Sequence, residues 1–286
     1  MKYATYRHED EVHVGLVSND GLSVTALTAG GRLVSDLHDL FAGTAEATGP
    51  RVALANVVLL APIPRPRRNI FCVGKNYAAH AKEFASSGFD AGHTGAPDEL
   101  PTDPIVFTKA PECVIGHGSA IWSGEGVTDF LDYEAELAVI VGVGGRGITR
   151  ADAMRHVWGY TIINDVTARD WQKRHKQWFL GKSFDTFAPM GPFAVTADAI
   201  DGAALDLSCR VNGELRQHAN TRDLIFDIPR LIETISAGIT LMPGDIIATG
   251  TPEGVGIGRS PPTALRRGDL VEIDITGIGR LENRVG

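Results

Sequence analysis

The chain has 286 residues, of which 43% are hydrophobic and 22% charged, a composition typical of a globular protein rather than a disordered one. A formal net charge of −8, with no basic cluster beyond residues 65–68, argues against a nucleic-acid partner. No stretch approaches the roughly 18 apolar residues that span a bilayer, and the first residues lack an apolar targeting core. We therefore expect a cytoplasmic protein without a membrane partner. Three separated cysteines in apolar surroundings, Cys72, Cys113 and Cys209, indicate reduced core thiols.

The first 60 residues predict a small α+β unit. Alternating hydrophobic residues at 12–17 and 22–27 predict two strands around a Ser-Asn-Asp-Gly turn, and a short helix follows from Ser35 toward Gly43. Three prolines within residues 61–68 resist both helix and sheet, so this segment is interpreted as a linker. We place the domain boundary there, with a small N-terminal domain at 1–63 and a larger domain at 64–286.

Strands dominate the predicted larger domain. They are short, rich in β-branched residues and bounded by Gly, Pro or Asp. Asn212-Gly213 is a strong signal for a two-residue hairpin. The predicted strands have the sequences IVFTKA, ELAVIVG, GYTIIND, PFAVTA, LSCRVNG, DIIATG and DLVEIDI.

Helices are fewer, and strands do not alternate regularly with them. We predict helices at about 150–157 capped by Thr149, at about 168–176 capped by Thr167, and at about 228–237 capped by Asp227. The last has the clearest apolar stripe, with Pro229 in its first turn. This pattern predicts an α+β, mainly β fold rather than a parallel α/β sheet.

Gly142, Gly144 and Gly147 form a G-x-G-x-x-G pattern directly after a predicted strand. In a dinucleotide-binding fingerprint the last glycine lies inside the helix, whereas here Thr149 begins the predicted helix after the glycines. The chain then continues with hairpins instead of crossover units. We therefore interpret these glycines as a loop and do not expect a nicotinamide cofactor.

Asp132, Glu134 and Glu136 occupy every second position before an aliphatic run, so an extended strand would place all three carboxylates on one face. Such crowded charges have two interpretations: a solvated strand face, or a site where a divalent cation cancels the repulsion. Asp165 ends another apolar strand, where it is either a turn residue or a further ligand. Carboxylates drawn from two strands suit Mg²⁺ or Mn²⁺, with Asp132 as a fourth ligand or a supporting residue.

Five motifs in this order closely resemble the fumarylacetoacetate hydrolase family over about residues 68–286: FCVGKNYAAHAKE, DYEAELAVIVG, GYTIINDVTARDWQ, QWFLGKSFDTFAPMGP and LMPGDIIATGTPEGVG. The resemblance implies a mixed β-sandwich roll with a small N-terminal α+β domain, usually assembled as a homodimer. It also favours the cation interpretation, because the family binds Mg²⁺ or Mn²⁺ through residues matching Glu134, Glu136 and Asp165. Ca²⁺ is a non-native alternative occupant.

The resemblance assigns further residues. His80 and Glu83 match a pair that activates water on a lid, although an i, i+3 pair of this kind is also common on helix surfaces. Lys182 matches a lysine that reaches the substrate keto oxygen. Gln172 and Thr251 match substrate-binding positions; Lys75 and Lys109 lie in matching motifs without an assigned role.

The expected activity is Mg²⁺- or Mn²⁺-dependent hydrolysis of a C–C bond in 2,4-dioxo acids (acylpyruvates), as in aromatic catabolism. The alternatives on the same scaffold are an oxaloacetate decarboxylase, a 2-hydroxyhepta-2,4-diene-1,7-dioate-type isomerase or decarboxylase, and a ligand-binding protein without turnover. The expected partner is a small keto acid. The segment Phe84 to Asp103 departs from the family pattern and borders the expected lid.

Overall fold

The computed structural model describes residues 1–43, 45–89 and 100–286. Strand accounts for 38% of the chain and helix for 18%, so the predicted mainly β, α+β fold class is confirmed. The helices are α1 (Asp39–Ala42), α2 (Ala78–Ser86), α3 (Arg169–His175), α4 (Phe179–Lys182) and α5 (Ile228–Ser236). Among the described residues, no helix has the length and apolar character needed to cross a membrane.

The strands are, in chain order, β1 (Lys2–His8), β2 (Glu11–Val17), β3 (Ser23–Ala26), β4 (Thr28–Ala29), β5 (Arg32–Leu33), β6 (Arg51–Ala53), β7 (Val58–Leu59), β8 (Ile70–Gly74), β9 (Ile105–Lys109), β10 (Val114–Ile115), β11 (Leu131–Asp132), β12 (Ala135–Val141), β13 (Val157–Asn164), β14 (Thr167–Ala168), β15 (Ala188–Thr196), β16 (Asp206–Val211), β17 (Glu214–Asn220), β18 (Ile246–Ala248), β19 (Leu270–Ile275) and β20 (Gly279–Arg284).

Two sheets face each other across the core. The larger has 12 strands, with ten in the order β6-β3-β2-β1-β15-β13-β12-β18-β8-β9, while β7 and β10 pair with β1 and β15. It is mixed, since β18 and β8 are parallel and β12 and β13 are antiparallel. The smaller sheet, in the order β17-β16-β19-β20, packs against β12, β13 and β15. Aliphatic residues of both sheets share one buried cluster, which makes the sandwich.

The N-terminal strands belong to the larger sheet, because β1 pairs with β15 through Lys2 and Tyr3. Strands from both sides of the predicted boundary at residue 63 therefore hydrogen-bond to one another. The division into 1–63 and 64–286 stays a prediction. The segment 61–68 contains no helix or strand, as expected for a linker.

Local signals gave several elements correctly. The Asp227 side chain accepts a hydrogen bond from the backbone N–H of Arg230 and caps α5. Asn212 and Gly213 have positive φ angles of 53° and 79° and join β16 to β17 as a hairpin. The three cysteines are buried free thiols.

Other local predictions were wrong. Residues 150–152 form a turn and Ala153–His156 a short 3₁₀ segment, and Val157 begins β13, so there is no α-helix here. The helix expected from Ser35 is only the single turn α1. Thr167 does not cap α3, since it lies in β14 and its hydroxyl donates to the backbone carbonyl of Asp165. The loop containing Gly142, Gly144 and Gly147 connects the antiparallel neighbours β12 and β13, so it is not part of a βαβ unit.

Candidate active site

Three carboxylates meet where β12 begins and β13 ends. Ala135 pairs with Asn164 across these strands, and the backbone N–H of Asp165 donates to the carbonyl of Glu134 at 2.8 Å. This register places one ligand oxygen from each of Glu134, Glu136 and Asp165 within 4.8 Å of the others, and all three residues are buried. The structure therefore brings together the three predicted metal ligands.

Asp132 lies apart from this group. The strand is interrupted at Tyr133 and Glu134, so the predicted single face with three alternating carboxylates is wrong for Asp132. Its carboxylate accepts hydrogen bonds from the backbone N–H groups of Gly256 at 2.6 Å and Ile257 at 3.1 Å. The Arg169 Nε also donates to it at 2.9 Å. Of the two alternatives for Asp132, the supporting role is the one that fits.

Three buried cations form ion pairs with the carboxylates. Lys182 Nζ lies 2.8 Å from Glu134 Oε2 and 2.7 Å from Asp165 Oδ2, while Lys109 Nζ lies 2.6 Å from Asp165 Oδ1. Arg169 Nη2 lies 2.7 Å from Glu134 Oε1, which links Glu134 to Asp132 through one guanidinium. Lys109, which had no assigned role, is thus a partner of Asp165.

The carboxyl groups differ in pKa for physical reasons. Burial alone would raise the pKa of Glu134, but the charges of Lys182, Arg169 and His80 outweigh it and lower that pKa to about 2. Burial raises the pKa of Glu136 well above its usual value, and the charges of Asp165 and Glu134 raise it further. Burial would lower the pKa of Lys182, but Asp165 and Glu134 reverse that and keep the ammonium protonated.

A divalent cation fits this cluster. Glu136 accepts a hydrogen bond from the Gly250 N–H at 2.8 Å. Its carboxylate lies beside those of Glu134 and Asp165, and a divalent cation would offset the repulsion among the three. An all-oxygen donor set of this kind suits Mg²⁺ or Mn²⁺ better than zinc. Glu134, Glu136 and Asp165 are the residues that could hold the ion.

The pair His80 and Glu83 lies on α2, with His80 Nδ1 3.2 Å from Glu83 Oε2. Glu83 also accepts a hydrogen bond from the Gly254 N–H, at 3.0 and 3.2 Å to its two oxygens. The His80 ring is buried, so this pair is not the solvated surface pair that was the alternative interpretation. Because Glu83 contacts Nδ1, the other ring nitrogen, Nε2, is left for chemistry in the cavity.

One cavity joins these groups. Its volume is about 10 Å³, room for roughly one water molecule. Its lining includes carboxylates, cations, polar side chains and three aromatic rings: Lys75, His80, Phe84, Phe107, Glu134, Glu136, Arg169, Gln172, Trp178, Lys182 and Thr251. Every predicted site residue except Glu83 and Asp165 lines it, and those two contact lining residues directly. A molecule larger than a water would fit only if the lining side chains moved apart.

Gln172 and Thr251 reach the cavity with part of their hydrogen-bonding capacity already used. Gln172 Oε1 accepts from Arg169 Nη1 at 3.1 Å. The Thr251 hydroxyl donates to the Ala135 carbonyl at 3.0 Å and accepts from Gln217 Nε2 at 2.8 Å. Their predicted substrate contacts stay predictions. Both side chains also form hydrogen bonds with residues next to the carboxylates.

Sequence reasoning missed Arg169 and Gln217. Arg169 is 1% exposed and lies on α3 one turn before Gln172, on the same helix face. The i, i+3 spacing of Arg169 and Gln172, shortly after Asp165, is the sequence signal that could have identified Arg169. Gln217 lies on β17, and its Oε1 accepts from the Ala135 N–H at 3.1 Å. No pattern in the neighbouring sequence distinguishes Gln217 from the other residues of this strand. The segment expected to border the lid continues beyond α2, and its residues 90–99 lie outside the described residues.

The site and sandwich fold agree with comparisons to known proteins. Residues 69–286 match the family model "Fumarylacetoacetate (FAA) hydrolase C-terminal", and residues 1–62 match "Rv2993c-like, N-terminal". The chain belongs to the fumarylacetoacetate hydrolase family, as the five motifs indicated.

Individual relatives and solved structures are similar to this chain over most of its length. The chain is 53% identical to oxaloacetate tautomerase YisK of Bacillus subtilis (strain 168) over 235 residues, which are 82% of this chain and 75% of the relative. A fumarylacetoacetate hydrolase structure from psychrophilic Exiguobacterium antarcticum is 40% identical, with a TM-score of 0.83, covering 100% of this chain and 99% of that one. The 2-hydroxyhepta-2,4-diene-1,7-dioate isomerase structure from Mycobacterium marinum is 35% identical, with a TM-score of 0.80, covering 100% and 98%.

Proposed function

We propose that the protein is a divalent-metal-dependent enzyme that transfers a proton on 2-keto acids and interconverts the enol and keto forms of oxaloacetate. The observation that carries this proposal is the buried His80–Glu83 pair, which shares one cavity with the carboxylate cluster. A relative named as an oxaloacetate tautomerase and a neighbour named as an isomerase support it. The proposal replaces acylpyruvate hydrolysis as the first function to test. Oxaloacetate tautomerisation was not among the alternatives expected from the sequence, of which the isomerase is the nearest in reaction type.

The protein residues can perform the proton transfer in a single cavity. When bound at the cluster, Mg²⁺ or Mn²⁺ would polarise the keto oxygen as a Lewis acid. His80 Nε2, with Nδ1 held by Glu83, takes a proton from C3 of the keto form, and the C–H electron pair moves into an enolate. The protonated side chains of Lys182 and Arg169 stabilise the negative charge that develops on the oxygen. His80 then gives the same proton to that oxygen, which completes the enol and restores the neutral imidazole.

The reverse direction uses the same groups. Neutral His80 takes the proton from the enol oxygen and delivers it to C3. No bond between heavy atoms breaks, so this reaction needs neither a water molecule nor a leaving-group site.

Acylpyruvate hydrolysis stays the second candidate, because the His80–Glu83 geometry that abstracts a C–H proton also suits activation of water. Hydrolysis additionally needs room for an acyl group beyond the keto acid. Decarboxylation of oxaloacetate needs only a chelated keto acid and an electron sink, so it would not depend on His80.

The experiment is a panel of oxaloacetate and acylpyruvates, assayed with Mg²⁺, Mn²⁺ or chelator. Loss of enol absorbance reports tautomerisation, and pyruvate release reports the other two reactions. We expect His80→Ala to slow tautomerisation by about 10²- to 10⁴-fold, the usual effect of losing a positioned base, and to spare decarboxylation. His218→Ala, an exposed histidine on β17, is the matched control. Tautomerisation within a few-fold of wild type in His80→Ala, or full activity in excess chelator, would refute the proposal.

A further inference from the structure

One part of the cavity wall is aromatic, in contrast to the part formed by the carboxylate cluster and its cations. Three rings form it, those of Phe84, Phe107 and Trp178. The Trp178 ring meets both phenylalanines edge to face, with its centroid 6.0 Å from that of Phe84 and 5.1 Å from that of Phe107. Edge-to-face pairs add to the packing energy of buried rings. The indole is therefore held between the two other rings of the wall.

The aromatic wall continues outward from the cations of the cluster. Lys182 Nζ lies 5.1 Å from the centroid of the Phe107 ring, and Arg169 Cζ lies 5.8 Å from the centroid of the Phe84 ring. Each phenylalanine thus lies between one cation of the cluster and the indole of Trp178. A ligand whose charged end lies at the cluster has these rings along its length.

Two glycines allow Trp178 to lie where it does. A Cβ on Gly74, at the end of β8, would lie 2.8 Å from Cη2 of the indole and closer still to Cζ3, so only glycine leaves room for the ring. A Cβ on Gly181, in α4, would lie 2.7 Å from the Gln172 backbone nitrogen and 2.8 Å from the Ala168 carbonyl oxygen, so α4 packs directly against α3. Since β8 is an inner strand of the larger sheet, between β18 and β9, the indole rests on the backbone of the sheet.

Trp178 and Lys182 belong to the same turn of the chain. Trp178 directly precedes α4, and its carbonyl accepts a hydrogen bond from the Lys182 N–H at 3.1 Å. Residues four apart on a helical turn lie on one face, with Cβ atoms about 5–6 Å apart. The Lys182 ammonium reaches the cluster, 2.8 Å from Glu134 Oε2 and 2.7 Å from Asp165 Oδ2. One helical turn therefore limits the separation between the indole and the cation that would stabilise the substrate oxygen.

The fixed indole restricts the length of a bound keto acid. This step rests on the proposed function, in which the keto-acid end lies at the cluster and the rest of the molecule extends along the aromatic wall. The cavity has a volume of only about 10 Å³, so each added methylene group must displace a lining side chain. We propose that Trp178 is a specificity-determining residue, whose indole closes the distal end of the cavity and restricts the enzyme to 2-keto acids about as long as oxaloacetate. An acylpyruvate with a longer acyl group would need the space of the indole.

The test uses oxamates, which keep the chelating end of a 2-keto acid but have an amide nitrogen in place of C3, so they bind without turnover. N-Ethyloxamate matches the chain length of oxaloacetate, and N-hexyloxamate is longer. In isothermal titration calorimetry with Mn²⁺ present, wild type should bind the ethyl compound at least about 10-fold more tightly. In Trp178→Ala the hexyl compound should gain about 10- to 100-fold in affinity relative to the ethyl compound, because its chain fills the space that the indole leaves. Trp178→Leu takes the place of Trp178→Ala if the latter does not fold.

Trp171→Ala is the matched control and should keep the wild-type preference. Trp171 is also a half-buried tryptophan beside a phenylalanine, 5.0 Å from the Phe184 centroid, but it is not among the described residues that line the cavity. Equal affinity of wild type for the two oxamates overturns the proposal, as does a Trp178→Ala variant with an unchanged preference. If wild type binds neither oxamate, the keto-acid site of the proposed function is wrong, and this inference with it. A preference for the shorter oxamate supports the inference even if tautomerisation itself is absent.

Discussion

Gly258→Ala should impair catalysis although Gly258 does not line the cavity. A Cβ at this position would lie 1.8 Å from Glu83 Oε1. The Cδ and Cγ atoms of Glu83 would lie almost as close, at 2.0 and 2.3 Å, so the outer part of this side chain must move away. It would then lose its contact with His80 Nδ1 at 3.2 Å and with the Gly254 N–H at 3.0 Å.

The size of the effect follows from these contacts. A hydrogen bond to a charged group contributes about 1.5–3 kcal/mol. If Glu83 orients His80 through such a bond, its loss corresponds to about a 10- to 100-fold lower kcat, at about 1.4 kcal/mol for each factor of ten. The stability of the fold should fall by only about 1–2 kcal/mol, because alanine also restricts the unfolded chain.

The assay is the kcat of oxaloacetate tautomerisation for Gly258→Ala, Glu83→Ala and the double variant. If the glycine acts through Glu83, the double variant should be no slower than Glu83→Ala alone. Additive losses would refute the reasoning. Gly238→Ala is the control, since an added Cβ there meets nothing within 4 Å.

Three further outcomes test the cluster and its supports. Glu136→Gln should abolish the Mn²⁺-dependent rise in Tm, since it removes one of three anionic ligands, whereas the exposed Glu125→Gln should retain it; an unchanged Mn²⁺ response would contradict the assigned site. Asn76→Ala should lower the free energy of unfolding by about 3 kcal/mol in urea titration, because the Asn76 side chain loses three buried hydrogen bonds, to the N–H and carbonyl of Phe226 and to the Thr249 carbonyl. A loss under about 1 kcal/mol would contradict a stabilising role for this side chain. Arg169→Met should cost about 3–5 kcal/mol in the same assay, because two buried carboxylates lose a partner.

The sequence by itself determined features that depend on neighbouring residues. The capped helix after Asp227 and the hairpin at Asn212-Gly213 were predictable because capping and turn conformations are set by a few adjacent side chains. The mainly β fold class and the family followed from strand-like segments and five specific motifs. Glu134, Glu136 and Asp165 were predicted as metal ligands in the same way, since the resemblance carried this role residue by residue, and the structure brings their carboxylates together. The homodimer, the keto-acid partner and the cytoplasmic location stay predictions.

Only the tertiary structure decided which charged and polar side chains of the site contact one another. Lys109 reaches Asp165 across 56 positions of the chain, and Gln217 reaches Ala135 across 82, distances at which no local pattern operates. Asp132 could not be separated from its neighbours by alternation, because the strand breaks at Tyr133, and the Gly256 and Ile257 N–H groups that bind it lie more than 120 residues away. The pKa differences within the cluster depend on burial and on charges from several segments at once. Long-range contacts of this kind exist only after the two sheets have packed together.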